Sequence, residues 1–176
     1  MLNKRQSILN TALELFAENG YHKTSTKMIA DKAKVSEALI FKHFVNKEQL
    51  LERIVKLGYR RVVESIRGSL SVKNPQEFIN NYIELPIKLL SEDLLFWKCQ
   101  FKLMDEKIVR QQYRQFMEPV SQGLSKAFEG LGYKNPKMEA QFLMLIMDAT
   151  WKSYIYDDLK TLKKMTDHIK TKFFKS

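Results

Sequence analysis

The chain has 176 residues, a net charge of +10 from 30 Lys plus Arg against 20 Asp plus Glu, and a single cysteine, Cys99. That length admits one ordinary domain or a small head on a larger body, and the charge favours an acidic partner. One cysteine excludes an intrachain disulfide framework and a Cys-rich metal site, and it suits a reducing cytosol, with a buried inert thiol as the simplest reading of Cys99. No run reaches the ~18 to 20 apolar residues needed to cross a bilayer. With only 6 Gly and 4 Pro, the expectation is a soluble, cytoplasmic, all-α protein.

The first 20 residues are basic at their start, but Asn10, Glu14 and Glu18 interrupt every apolar run, so they read as a helix and not as an export signal. Ile8, Leu9, Ala12, Leu13, Phe16 and Ala17 form one broad stripe that ends at Asn19-Gly20, a good helix stop. A short helix then starts at Thr24-Ser25 and carries Met28, Ile29 and Ala33. A second short helix opens at Ser36 and turns Ile40 and Phe44 inward. Two helices this short and this close should cross steeply, as in a helix-turn-helix.

A longer pattern runs from Lys47 to about Leu70 and bridges this head to the rest. Gln76 to Leu90 follows, with Pro86 predicting a kink, and Ser91-Glu92-Asp93 reads as the cap of a new helix. The next helix spans about Glu106 to Leu131 and should bend at Pro119. Gly130 to Pro136 is the clearest later break. The helix beyond it, through Phe142-Leu143-Met144-Leu145-Ile146-Met147, is apolar around its circumference and should be buried on all sides, the fourth by a second copy of the chain. The last pattern, Leu159 to Phe173, is amphipathic and would pair with it in a four-helix dimer bundle.

The series Gly20-Tyr21, Thr24-Ser25, Ile29-Ala30, Ala33, Val35-Ser36, Phe41, His43-Phe44 and Asn46-Lys47-Glu48 resembles the DNA-binding segment of the TetR family of bacterial repressors, over roughly residues 4 to 52. It departs from the family's usual Gly at Lys34, Gly-Thr at Ala38-Leu39 and Tyr at Phe41. The fold expected is therefore an N-terminal three-helix DNA-binding domain over 1–47 and a C-terminal helical domain over 48–176 for effector binding and dimerisation. The resemblance implies a repressor that meets a palindromic double-stranded operator as a homodimer, with recognition helices about 34 to 36 Å apart. It also implies a hydrophobic or amphipathic small-molecule effector.

Lys27, Lys42 and Lys47 are placed as phosphate anchors, and Ser25 and Thr26 sit at a helix N-terminus. Glu37, Ala38, Leu39, Phe41, Lys42 and His43 are what remains outward once Ile40 and Phe44 turn in. Phe41 fits equally as core filler against the bridge helix, and each lysine alone could be a solvated charge. The resemblance places Thr26, Lys27, Phe41, His43 and Lys47 at positions that commonly touch DNA. In the body, Phe96, Trp97, Phe101, Met104, Phe116, Met117, Met144, Met147 and Trp151 are core residues or cavity lining, with Asp148 and Tyr154 as polar orienting groups. His22 and His168 stand alone, no catalytic motif or metal-ligand spacing occurs, and Asp105, Glu106 and Asp148 are isolated, so neither an enzyme nor a cofactor is expected. Two other readings are a DNA-binding architectural or partner-controlled protein without a small-molecule effector and a membrane-surface helical protein using the basic tail Lys160 to Lys175.

Overall fold

A computed structural model of the chain describes residues 3–154 and 159–174, and every regular element among them is a helix. In order these are α1 (Lys4–Asn19), α2 (Thr26–Ala33), α3 (Glu37–Phe44), α4 (Lys47–Ile66), α5 (Pro75–Lys102), α6 (Lys107–Gly130), α7 (Pro136–Tyr154) and α8 (Leu159–Phe173). They form two compact units. The first joins Met1–Arg61 with Leu95–Tyr113, and the second joins Val62–Leu94 with Arg114–Ser176. Helices α4, α5 and α6 each contribute to both.

In the first unit most of the stripe of α1 is buried, with Ile8, Ala12 and Phe16 at 0% exposure, while Leu13 and Ala17 at its edge are half-buried. Gly20 stops α1 at φ +82°, its N–H bonded to the Phe16 carbonyl at 3.0 Å. Further along, Phe96 and Trp97 are buried edge-on to Tyr59, with ring centroids 5.5 and 6.3 Å away. The glycine at 58 makes this possible, because a Cβ there would lie 2.0 Å from the Phe96 ring. Cys99 is buried in the same unit, and burial pushes its thiol up to about 12, which keeps it un-ionised at neutral pH.

The second unit encloses Ile79, Ile83, Leu124, Phe128, Leu143 and Leu162. Its α6 ends in a Schellman motif: Gly132, at φ +79°, donates to Glu129 O at 2.9 Å, and Tyr133 donates to Phe128 O at 3.1 Å. The Phe128 and Tyr133 rings pack 5.0 Å apart across that turn.

Two sequence expectations change here. Helix α5 passes through Pro86 and leaves helical dihedrals at Asp93 (φ −149°, ψ 65°). Ser91 is not a cap, since its hydroxyl donates back to Lys88 O at 2.7 Å within the helix. Proline already has helical φ and removes one hydrogen bond, while buried Leu85, Leu89 and Leu90 hold the flanking turns in place. The membrane-surface reading of the tail also loses its basis. Leu162 and Ile169 are buried in the unit, and Phe173 packs its ring 5.8 Å from Phe128, so most of the apolar stripe of α8 is covered, with Met165 left 37% exposed. No helix among the described residues is long and apolar enough to cross a membrane.

Helix α7 is two-sided. Ala140, Leu143, Met147 and Trp151 are buried, whereas Met138, Phe142 and Leu145 are 57%, 54% and 69% exposed.

Candidate nucleic-acid interface

Two serines set the site. Ser25 caps α2 by accepting the Met28 N–H at 3.1 Å, and Ser36 caps α3 by accepting the Leu39 N–H at 3.2 Å. Thr24, which the sequence offered as a joint cap, instead turns inward and donates to Leu15 O and Gly20 O at 3.2 and 2.8 Å. The turn between the helices is another Schellman motif, with Lys34 in the left-handed region at φ 54°, ψ 48°. Lys34 donates to Asp31 O and Val35 to Ala30 O, at 3.2 and 3.0 Å.

Burial of Ile29, Ile40 and Phe44 fixes which face of α3 points away from the core. Ala38, Phe41, Lys42 and His43 are exposed together, as are Ser25 and Lys27, while Thr26, Glu37, Leu39 and Lys47 are half-buried. Phe41 is 44% exposed and therefore is not core filler. Thr26 and Glu37 are tied to each other, the threonine hydroxyl donating to the carboxylate across the turn. That bond locks the first residues of α2 and α3 together.

Lys47 is more built-in than its sequence position suggests. Its ammonium donates to Tyr21 O at 3.0 Å and Thr24 O at 2.9 Å and stands 4.2 Å above the Tyr21 ring. Two of its three N–H donors are thus spent on the loop between α1 and α2. Desolvation lowers its pKa, and the Glu106 carboxylate works against that shift. Tyr21 moves the other way, raised by burial and then by the charges of Glu48 and Glu106.

Several supporting groups had no sequence signal, because their partners are remote. Lys102 covers the carboxyl end of α1, donating to Ala17 O and Glu18 O at 3.1 and 2.6 Å. His22 meets Glu106 at 3.0 Å. Asn46, by contrast, is a local cap of α4 that spacing could have revealed, since its side chain accepts the Gln49 N–H at 2.8 Å. Between the two, Val45 is held at φ 55°, ψ −50° in a γ-turn closed by Asn46 N–H to Phe44 O. Positive φ is a strained position for a β-branched residue, and it sits where α3 joins α4.

The candidate effector residues divide. Phe96, Trp97, Phe101 and Met104 belong to the first unit, where Phe96 and Trp97 are core, at 1% and 0% exposure. Phe116, Met117, Met144, Met147, Asp148 and Trp151 belong to the second. There Phe116 lines an apolar groove of about 310 Å³ with Ile66, Leu70, Phe78 and Val120. Asp148 is half-buried, and its charge adds to the burial that raises the Tyr82 hydroxyl pKa. The side chain of Tyr154 lies outside the described residues. No cluster of His, Cys, Asp and Glu among the described residues could hold a metal ion.

An all-helical chain carrying two short, serine-capped helices with a basic and aromatic outer face is a helix-turn-helix protein. Residues 8–54 match the model described as bacterial regulatory proteins, tetR family. It is 38% identical over 90 residues to an uncharacterised HTH-type transcriptional regulator, YvkB, of Bacillus subtilis, a match covering 51% of this chain and 44% of that protein. It is 21% identical over 173 residues to a probable acrEF/envCD operon repressor of Escherichia coli, covering 92% of this chain and 78% of that one. The chain thus spans less than half the length of the first of these relatives. Among solved structures it resembles the regulator FadR of Bacillus subtilis in complex with stearoyl-CoA, with a TM-score of 0.75, 22% identity and coverage of 94% and 95%.

Proposed function

We propose that this protein regulates transcription, as a repressor that binds a palindromic operator as a homodimer and lets go when an apolar or amphipathic small molecule occupies its body. The observation that carries the reading is the outer face of α3, where Phe41, Lys42 and His43 are exposed together while Ile40 and Phe44 are buried. Such a face offers cationic donors to phosphates and base edges and an apolar ring to thymine methyls. Lys27 and Lys42 act as phosphate anchors. Lys47 holds the loop before α2 and has one N–H left for a phosphate.

The exposed row Met138, Phe142 and Leu145 supports the dimer, because α7 leaves uncovered an apolar face that a second copy would bury. Repression is supported by the relative described as an operon repressor, and an acyl-type effector by the fold neighbour crystallised with stearoyl-CoA. Release requires that the effector bind the two conformations with different affinity. Selection from a random duplex pool tests the reading. The expected winners are inverted repeats with half-sites about one helical turn apart, or a multiple of it. Enrichment of no duplex over the starting pool would refute it.

A further inference from the structure

The described surface of the first unit holds a second basic feature beside α3. A groove of about 200 Å³ is lined by Arg5 of α1, His43 and Phe44 of α3, and Glu52, Arg53 and Lys56 of α4. Its one carboxylate, Glu52, is paired with Lys56 at 2.6 Å, which leaves the charges of Arg5 and Arg53 in excess. The volume is several times the ~30 Å³ share of one water molecule, so it can admit a polyatomic ion.

Three observations favour an anion in this groove. Arg53 Nε is buried and has no hydrogen-bond acceptor in the protein. A buried donor left in that state costs free energy, more so on a charged group, and an anion held by the guanidinium in the groove would offset that cost through its charge, since Nε itself is closed to solvent. Arg5 is held with its guanidinium 5.6 Å above the Phe44 ring, a stacking that orients the fork while leaving its N–H edge available. Finally, Lys4 and Arg5 occupy the first turn of α1, which contains no acidic residue. Cations at a helix N-terminus oppose the helix dipole, and a bound anion reverses that penalty.

His43 belongs both to this groove and to the outer face of α3, so a duplex read by α3 brings its backbone to the groove. We propose that the groove seats a phosphodiester group of the DNA backbone, with Arg5 and Arg53 as its ligands, an assignment that rests on the DNA-binding reading above.

The test compares wild type with the Arg5→Gln, Arg53→Gln double variant on two unrelated duplexes of equal length across a salt series. The double variant should bind both duplexes at least tenfold more weakly, and the slope of log K against log salt should become shallower by about 0.9 for each phosphate no longer neutralised. The Arg5→Lys, Arg53→Lys pair keeps both charges and should retain most of the slope. If the double variant melts early, Arg53→Gln alone should still reduce the slope by about 0.9. Unchanged affinity and slope in the Gln variants, with Lys42→Glu still binding at least tenfold more weakly, would overturn the groove and leave the DNA-binding reading standing. Wild-type protein that binds neither duplex would overturn both. Inorganic phosphate raising the melting temperature of wild type but not of the Gln variant, with duplex slopes unchanged, would overturn the assignment to DNA in favour of a free phosphate.

Discussion

Helices α3 and α7 both turn part of their surface outward, and the two surfaces have opposite chemistry. On α3 the apolar residues Ile40 and Phe44 go in and Lys42 and His43 stay out; on α7, Leu143 and Met147 go in but Phe142 and Leu145 stay out as well. Cations in water cost nothing to leave exposed, so the α3 face, where Phe41 is the one large apolar side chain left out, gains a partner mainly through charge and shape. An exposed Phe or Leu forfeits about 1.5 to 3 kcal/mol that burial would supply, so the α7 face calls for a cover. The same fold therefore presents one face that is mostly charged, with a single exposed ring, and one that is a row of apolar side chains. This distinction is the ground for proposing a polyanion for the first and a protein surface for the second.

The largest expected effect breaks the second face. Leu145→Lys puts a charge at the most exposed point of the row Met138, Phe142, Leu145, and twofold symmetry counts it twice. Light scattering should show the wild-type dimer replaced by monomer at micromolar concentration, with the dissociation constant raised at least a hundredfold. A variant with the wild-type mass would show that this face is not the dimer interface.

An intermediate effect separates charge from structure on the first face. Lys47→Met removes two hydrogen bonds to the carbonyls of Tyr21 and Thr24, and should lower stability by about 1 to 2 kcal/mol in chemical denaturation. Lys47→Glu should lose at least as much. Full wild-type stability in Lys47→Met would return this residue to the class of plain surface charges.

The smallest effect has the opposite sign. Lys34 occupies the left-handed conformation at the turn, at φ 54°, so Lys34→Gly should stabilise the protein by about 0.5 to 1 kcal/mol and raise the melting midpoint by about 2 °C. Unchanged or lower stability would mean that the Lys34 side chain compensates its own strain.

What could be read from sequence was local. Ser25 and Ser36 cap within three residues, Asn19-Gly20 stops α1, and the Ile40 and Phe44 spacing points the helix face, so the bihelical unit was legible before any coordinates. What could not be read depends on remote partners. Lys102 reaches α1 across 85 and 84 residues of sequence, and Lys47 reaches Tyr21 across 26; neither pairing leaves a periodic trace. The aromatic set proposed for an effector shows a different limit. Phe96 and Trp97 suit a core and a cavity wall equally by composition, and only Gly58, a small residue inside a helical pattern, hinted that a ring fills the space beside it. Pro86 does not interrupt α5, since packing of Leu85, Leu89 and Leu90 outweighs the one hydrogen bond that proline forfeits, and the departure from helical dihedrals falls instead at Asp93, inside the Ser91-Glu92-Asp93 break that the sequence marks.

The measurement closest to the central claim is the binding of a labelled, selected duplex by wild type and Lys42→Glu between 50 and 200 mM salt, followed by fluorescence anisotropy. Lys42 is exposed on α3 and has no role in the core. Wild-type affinity should fall linearly on logarithmic axes, with a slope of about −0.9 for each phosphate neutralised. Lys42→Glu should bind at least tenfold more weakly at every salt concentration while melting at the wild-type temperature. Equal binding by the two proteins, or wild-type binding that ignores salt, would contradict the assignment of α3 as the helix that meets DNA.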